Sequence, residues 1–125
     1  MRIYIAGCFE SRPRLAAMRV EVEKLGHKVT SSWLDEPDQV GPVCLYSPGK
    51  GLAYAQRDYR EILESELLLL DTLDTNERGG REVEFGIAVA FGLAVWVVGP
   101  HRNVFHYFAE EQASSWEEAL DRLRV

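Results

Sequence analysis

One carboxylate in this sequence is placed where it could act as a nucleophile. Glu84 follows a polar loop that ends in Gly79-Gly80, and it falls in the first turn of a helix predicted over about 82–91. The positive end of the helix dipole would keep this carboxylate ionised. An ionised carboxylate at the mouth of a sheet is a candidate nucleophile. The alternative is a capping or solvent-facing glutamate, and Glu82 lies equally near the start of the helix.

Small residues follow Glu84 at positions 86, 88, 90 and 92. Gly86 and Ala90 are four residues apart and share one helix face, which would let the helix approach the sheet closely. The same helix would present Glu84 at its outer end. A helix lying alone on the surface does not need this pattern, so the spacing favours Glu84 as the functional carboxylate.

Aromatic and basic side chains fall in the loops predicted to follow the strands. Phe9, Trp33 and Tyr46 could sandwich a flat ligand or could pack locally. Arginine binds phosphate oxygens bidentately, although solvated loops explain most arginines equally well. The candidates for phosphate binding are Arg12, Arg78 and Arg102. The two cysteines form no CxxC pattern and the histidines lack ligand spacing, so neither a metal site nor a cofactor is expected.

The elements that must position these residues alternate along the chain. Apolar runs predict strands at 2–6, 27–33, 67–71 and 94–98, and helical spacing predicts helices at 13–25, 52–65, 82–91 and from 115 to nearly 125. This order predicts a doubly wound, mostly parallel α/β sheet of four or five strands with helices on both faces. Ligands bind at the carboxyl ends of such strands. The irregular stretch 34–51 is typical of a lid or binding loop.

Composition limits the kind of partner. The 125 residues, 46% of them hydrophobic, suit a single domain over 1–125. A net charge of −6 argues against a nucleic acid polymer. The longest uncharged stretch, 85–100, is shorter than the ~20 residues of a spanning helix, so no membrane partner is expected. No signal peptide is visible, and we expect a cytoplasmic protein.

The glutamate segment resembles a known signature. Gly80-x-x-x-Glu84-Phe-Gly-x-Ala-x-Ala-x-Gly92, followed by an apolar strand, is similar to that of the nucleoside 2-deoxyribosyltransferases and the related deoxynucleoside monophosphate N-hydrolases, in their short phage and bacterial form. The opening run 3–7 and the pair Arg57-Asp58 are also similar, and the resemblance extends from residue 2 to about 108. Glu82 and Arg78 depart from it, because many relatives have a glycine and an Asp or Ser there.

The resemblance implies a flavodoxin-like or Rossmann-like fold and a reaction that needs no cofactor. Glu84 would be the nucleophile, and Asp58 would assist proton transfer to the leaving base. Asn103 would reach into the site of a neighbouring subunit. The reaction would cleave the N-glycosidic bond of a 2′-deoxynucleoside and transfer the deoxyribosyl group to another base. The residues expected to contact substrate are Gly7, Phe9, Trp33, Asp71, Gly80 and Asn103.

Several alternatives remain open at this stage. The nearest is hydrolysis of a 2′-deoxynucleoside 5′-monophosphate, followed by an NAD glycohydrolase and a catalytically silent nucleotide-binding module. The loop 7–13 lacks the Gly-rich, Ser-containing stretch of the monophosphate hydrolases, and Glu10 would repel a phosphate, so nucleosides are favoured. The apolar run 104–108 predicts a homo-oligomer, a dimer or larger. The preferred base is not encoded in any of these patterns.

Overall fold

The computed structural model describes residues 1–37, 47–75 and 78–124. Tyr46, Cys44 and most of the predicted loop therefore lie outside the described residues. The strands are β1 (Arg2–Ala6), β2 (Lys28–Val29), β3 (Leu67–Asp71), β4 (Ala94–Val98) and β5 (Glu111–Ala113). The α-helices are α1 (Arg12–Lys24), α2 (Pro48–Leu63), α3 (Gly80–Ala90) and α4 (Trp116–Leu123). Within these described ranges, short 3₁₀ helices span Phe9–Ser11, Ser32–Asp35 and Val104–Phe108.

The five strands form one sheet in the order β2-β1-β3-β4-β5, and every neighbouring pair is parallel. This confirms the predicted α/β fold. The second strand is shorter than predicted, because the chain turns into the 3₁₀ helix Ser32–Asp35 once Trp33 can bury its ring and donate to the Ile5 carbonyl at 2.8 Å. β5 was not predicted, since its residues, Glu-Gln-Ala, lack an apolar pattern.

Two central strands form the buried centre of the sheet. All five residues of β3 are buried, and in β1 only Arg2 is exposed. Burial on both faces explains why these strands are apolar throughout. Gly7 then lets the chain leave β1 close against α1, because a Cβ there would lie 2.6 Å from Cδ1 of Leu15. This contact fixes the loop after β1, which contributes to the site described below.

Helix α3 differs from the prediction in two ways. It begins at Gly80, after Gly79 with φ of 82°, so Glu84 is the fifth helical residue and lies in the second turn. The face toward the sheet carries Phe85 and Ala88, while Gly86 and Ala90 are exposed. The idea that these two small residues allow close approach to the sheet was therefore wrong, because the large Phe85 ring fills that contact.

Side-chain caps fix the starts of two other helices. Ser47 accepts a hydrogen bond from the Lys50 backbone at 3.3 Å, and Pro48 opens the first turn, so α2 starts four residues before the predicted position. Ser115 accepts from the Glu118 backbone at 3.1 Å, as the predicted capping box requires. Within the described ranges, no helix combines the length and apolar character needed to cross a membrane.

Candidate active site

A cavity of about 680 Å³ opens between α2 and α3 at the carboxyl ends of the strands. Its walls come from the segments that follow β1, β2 and β3 and from the facing sides of the two helices. This is where a parallel sheet is expected to bind its ligand. The lining residues are Gly7, Phe9, Trp33, Glu36, Tyr54, Ala55, Gln56, Asp58, Tyr59, Ile62, Arg78, Gly80, Arg81, Val83, Glu84 and Ile87.

Glu84 is held by a tyrosine from the centre of the sheet. Tyr4 in β1 is fully buried, and its hydroxyl donates a hydrogen bond to Oε2 of Glu84. Burial, and then the nearby Glu84 charge, raises the pKa of Tyr4 well above its ordinary value, so the phenol remains a donor. Sequence reasoning treated Tyr4 only as a strand residue. Its hydroxyl, inside an otherwise apolar strand, was the available signal.

The charge of Glu84 is set mainly by burial. Burial raises the pKa of Glu84 to about 8, while the bond from Tyr4 and the charge of Arg57 lower it and the charge of Asp58 raises it. The carboxyl group therefore retains its proton to higher pH than an ordinary glutamate does. Glu84 lies in the second turn of α3 and not in the first, so the helix dipole, which acts mainly on the first turn, opposes desolvation less than the sequence predicted.

Asp58 lies on α2 and lines the same cavity. Burial raises its pKa, and the hydrogen bonds and charge of Arg57 oppose that shift. Arg57 donates to Oδ1 of Asp58 from Nε at 3.2 Å and from Nη2 at 2.9 Å. The Asp58 carboxylate is therefore both ion-paired with Arg57 and part of the cavity wall.

Two aromatic rings form another part of the cavity wall, here called the aromatic wall. The rings of Phe9 and Trp33 lie 6.5 Å apart at an interplanar angle of 27°. The Arg12 guanidinium packs 3.8 Å from the centroid of Phe9, and that of Arg78 lies 5.4 Å away. Both rings line the cavity and are fixed by these contacts, so a flat heterocycle could stack against them.

Only one of the three predicted phosphate-binding arginines lines the cavity. Arg78 does so, and it pairs with Glu10 at 3.4 Å. Arg12 is buried and donates to the Phe9 carbonyl at 2.8 Å and to the Glu36 carbonyl. Arg102 donates to the Thr72 carbonyl at 3.1 and 2.9 Å. Arg12 and Arg102 thus bond to backbone around the site.

Asp71 does not line this cavity. It is fully buried, where Arg14 donates to its two oxygens at 2.8 and 3.1 Å. The Trp116 indole donates a third hydrogen bond at 2.6 Å. These bonds join α1 and α4 to the end of β3, so Asp71 stabilises the fold and does not contact the cavity. Gly7 and Gly80, the predicted glycine contacts, do line the cavity.

Asn103 lies on the far side of α3, away from the cavity that holds Glu84. Its amide donates to Glu82 at 3.1 Å, and buried His106 contacts the same carboxylate oxygen at 2.8 Å. Burial raises the pKa of Glu82, but the bonds from His106 and Asn103 lower it overall. Asn103 borders a second cavity of about 370 Å³ lined also by Phe105 and Phe108. Among the described residues, no cluster of His, Cys, Asp and Glu could hold a metal ion.

A five-stranded parallel sheet with a half-buried carboxyl group beside a cavity at its open end defines a flavodoxin-like α/β protein. No protein-family model and no curated protein matches the sequence. Three solved structures share the fold over nearly the whole chain, at 17–18% sequence identity.

The first of these is a 2-deoxyribosyltransferase from Bacillus psychrosaccharolyticus, with a TM-score of 0.79, 18% identity, and 100% of this chain and 97% of that chain covered. The second is a conserved protein from Enterococcus faecalis V583, with a TM-score of 0.73, 18% identity, and coverage of 98% and 96%. The third is a CMP N-glycosidase from Clostridium botulinum, with a TM-score of 0.65, 17% identity, and 98% of each chain covered. The chain therefore shares its fold with a 2-deoxyribosyltransferase and with a CMP N-glycosidase, which is the fold that the resemblance implied.

Proposed function

We propose that this chain is an enzyme that cleaves the N-glycosidic bond of 2′-deoxynucleosides and transfers the deoxyribosyl group to another base. The observation that carries the proposal is the pair of carboxyl groups, Glu84 on α3 and Asp58 on α2, in one aromatic-walled cavity. Structural similarity to a 2-deoxyribosyltransferase and a CMP N-glycosidase supports this class of reaction.

In the first step the Glu84 carboxylate attacks C1′ of the sugar. The C1′–N bond breaks, its electron pair passes to the base, and the base nitrogen takes a proton from Asp58. The sugar is left covalently bound to Glu84, as in retaining glycosidases. Tyr4 fixes the orientation of the attacking carboxylate through its hydrogen bond. The aromatic wall formed by Phe9 and Trp33 holds the base.

The second step reverses these roles. A nitrogen of an incoming base attacks C1′, the bond to Glu84 breaks, and Asp58 recovers a proton from the incoming nitrogen. If water attacks instead, the result is hydrolysis. In either case the reactive form needs Glu84 ionised while Asp58 holds a proton, so the two groups together carry one proton. The form with one shared proton exists only between the two pKa values, so the pH–rate profile is bell-shaped. Its basic limb, where Glu84 loses that proton, lies near pH 8.

The charges around the cavity favour a nucleoside over its monophosphate. The lining includes three acidic residues, Glu36, Asp58 and Glu84. Of the two arginines in the lining, Arg81 donates to backbone carbonyls of residues 71 and 74 at 3.1 and 2.6 Å, and Arg78 pairs with an acid. A phosphate would have to compete with these bonds and meet the acidic wall. An uncharged sugar hydroxyl avoids both costs.

A 5′-monophosphate N-hydrolase is the second candidate. Arg78 supports it, because this side chain lies in the cavity wall and could exchange Glu10 for a phosphate. The fold shared with a CMP N-glycosidase also supports it. Comparing kcat/KM for deoxycytidine and deoxyguanosine with that for their 5′-monophosphates separates the two. A tenfold preference for the monophosphates, about 1.4 kcal/mol of transition-state binding, would favour the second candidate.

The decisive experiment mixes the protein with deoxyinosine and free adenine and follows released and exchanged bases by chromatography. We expect deoxyadenosine and hypoxanthine from the wild type. Glu84→Ala should lower the rate by on the order of a thousandfold or more, as loss of a nucleophile does elsewhere. Glu64→Ala is the matched control, because the Glu64 side chain is 58% exposed at the end of α2 and does not line the cavity. An inert wild type, or an active Glu84→Ala variant, would contradict the proposal.

We also propose that the protein works as a homo-oligomer. Four side chains of the 3₁₀ helix Val104–Phe108 are 62–73% exposed, and all four are large and apolar. Contiguous apolar surface of this kind marks association sites. Asn103 adjoins this surface and does not line the cavity that holds Glu84 in its own chain. It could instead complete the corresponding cavity of a neighbouring copy.

A further inference from the structure

Arg57 lies at the centre of a cluster of acidic side chains beside the cavity. Its Nη2 contacts carboxylate oxygens of Glu36 and Asp58, and its Nε lies 3.9 Å from Glu61. All four side chains are between 12% and 27% exposed, so solvent screens the cluster only in part. One cation thus holds together three carboxylates from α2 and from the segment after β2.

The cluster is fixed from several sides. Glu61 accepts hydrogen bonds from the backbone and hydroxyl of Ser32 at 3.0 and 2.9 Å. The Arg57 guanidinium also lies 5.2 Å from the centroid of the Tyr54 ring. These contacts leave the guanidinium little freedom, because its Nε and Nη2 groups both contact carboxylates that are themselves held by the surrounding elements.

The bonds from Arg57 to Asp58 are unequal between the two carboxylate oxygens. Both N–H groups, at 3.2 and 2.9 Å, donate to Oδ1. An oxygen that already accepts two charge-assisted hydrogen bonds is a poor place for a proton. A proton carried by Asp58 therefore resides on Oδ2, and the bonded Oδ1 fixes the direction of that oxygen.

We propose that Arg57 is a positioning residue for proton transfer: it anchors Oδ1 of Asp58 so that Oδ2 alone carries the proton to and from the base. This inference rests on the proposed function and adds a role that acts through Asp58. Arg57 does not itself touch the reacting atoms. Its loss should therefore affect turnover more than substrate binding.

The charges around Asp58 determine the direction of the effect. The ionisable groups that face it are Arg57 and Glu61 from α2, Glu36 after β2, Tyr4 from β1 and Glu84 from α3. Arg57 is the cation among these named groups. Removing it leaves the carboxylates to repel one another, which stabilises the protonated form of Asp58. The pKa of Asp58 should rise, and the acid limb of the pH–rate profile should move to higher pH.

The test compares Arg57→Gln with Arg60→Gln. Arg60 lies on the same helix, is 65% exposed and pairs only loosely with Glu64 at 3.9 Å, so its loss removes an equal charge outside the cluster. We expect Arg57→Gln to lower kcat by about tenfold, part of the general-acid contribution, with KM changed less than about twofold. Arg60→Gln should match the wild type. Arg57→Lys, which keeps the charge but loses the fork, should fall between them.

A double-mutant cycle separates positioning from a general structural effect. If Arg57 acts through Asp58, Arg57→Gln should change kcat less than about twofold in an Asp58→Asn background, compared at a pH above the pKa of Glu84, where the lost Arg57 charge no longer changes the ionisation of that carboxyl group. Independent effects that multiply in the double variant would overturn the proposal. Thermal melts of each variant identify any that fail to fold, and Arg57→Lys then replaces Arg57→Gln in the cycle.

A second readout does not require activity. The ¹³C chemical shift of the Asp58 carboxyl group, followed against pH by NMR, should show a higher pKa in Arg57→Gln than in the wild type and no change in Arg60→Gln. An unchanged titration of Asp58 would overturn the inference. A raised pKa in a protein that cleaves no deoxynucleoside would instead support the role of Arg57 while rejecting the proposed function.

Discussion

At the scale of single residues, the proposed site depends on two acids that share a cavity and on one hydroxyl that bonds to Glu84, the proposed nucleophile. Burial makes Glu84 a weak acid, and the Tyr4 hydroxyl partly offsets this by bonding to the ionised form. A nucleophile that is too easily ionised would be less reactive, and one that never ionises would not attack. The Tyr4 bond therefore adjusts the reactivity of Glu84 as well as its position.

Tyr4→Phe tests this adjustment. Because the lost hydrogen bond favours the ionised form, its removal should raise the pKa of Glu84 further, by about one unit for a bond to a charged group. The basic limb of the pH–rate profile should then move from near pH 8 toward pH 9, and kcat at neutral pH should fall. Tyr59→Phe is the matched control, since Tyr59 lines the same cavity and contacts Phe91. A basic limb that stays near pH 8 in Tyr4→Phe would contradict this assignment.

At the scale of elements, the fold could be predicted because its strands and helices have clear periodicity. The apolar runs of β1, β3 and β4 were predicted with the bounds observed, since strands buried on both faces have no polar positions. Edge strands have no such pattern: β2 was predicted too long and β5 was missed. The polar residues of β5 form a strand by pairing with β4, and the local sequence pattern does not reveal such a tertiary contact.

The candidate site was predictable to a similar extent. Glu84, Asp58, Phe9 and Trp33 line one cavity, as their positions at strand ends and on flanking helices indicated. The partners of these residues were not predictable, because Tyr4 reaches Glu84 across 80 positions of sequence. Asp71 also lies at a strand end, but its buried carboxylate already accepts hydrogen bonds from Arg14 and Trp116. Position at a strand end alone does not distinguish a ligand contact from a structural bond.

Gly7 offers a test of how closely β1 and α1 must pack to form this site. In Gly7→Ala the new Cβ would lie 2.6 Å from Cδ1 of fully buried Leu15, so packing around it must shift. We expect a loss of roughly 1–3 kcal/mol in the free energy of unfolding, measured with urea. Gly51→Ala is the control. Gly51 lies within α2, a Cβ added there would meet no atom of the described residues outside its own helix within 4 Å, and the change should raise the free energy of unfolding by up to about 1 kcal/mol. Equal midpoints for the two variants would show that β1 and α1 tolerate a wider separation.

At the scale of the whole molecule, a single copy of the chain does not account for an exposed apolar surface or for the position of Asn103. The apolar side chains of residues 104–108 are exposed, although His106 within the same segment is fully buried and bonded to Glu82. Asn103, which the resemblance places in an active site, lies beside the second cavity of its own chain. A second copy packed against this surface would cover the apolar side chains and could bring Asn103 to a neighbouring cavity.

Light scattering tests the association directly. We expect an oligomer at micromolar concentration for the wild type and a smaller species for Phe105→Glu, because burying a carboxylate at an apolar contact is costly. Val20→Glu is the matched control, since Val20 is also an exposed apolar residue, 48% accessible, but lies on α1. A monomeric wild type would contradict the proposed assembly.

Complementation between two inactive variants tests whether Asn103 acts in a neighbouring copy. Glu84→Gln removes the nucleophile, and Asn103→Ala removes the amide that we expect to act in trans. Each variant alone should show little turnover. In a mixture that exchanges subunits, some cavities would combine the intact Glu84 of one chain with the intact Asn103 of the other, so up to about a quarter of wild-type turnover should return for a dimer with two independent sites. If both residues acted within one chain, no hybrid could contain a complete site. Absence of recovery after confirmed subunit exchange would therefore place Asn103 outside the neighbouring site and leave its bonds to Glu82 and His106 as its role.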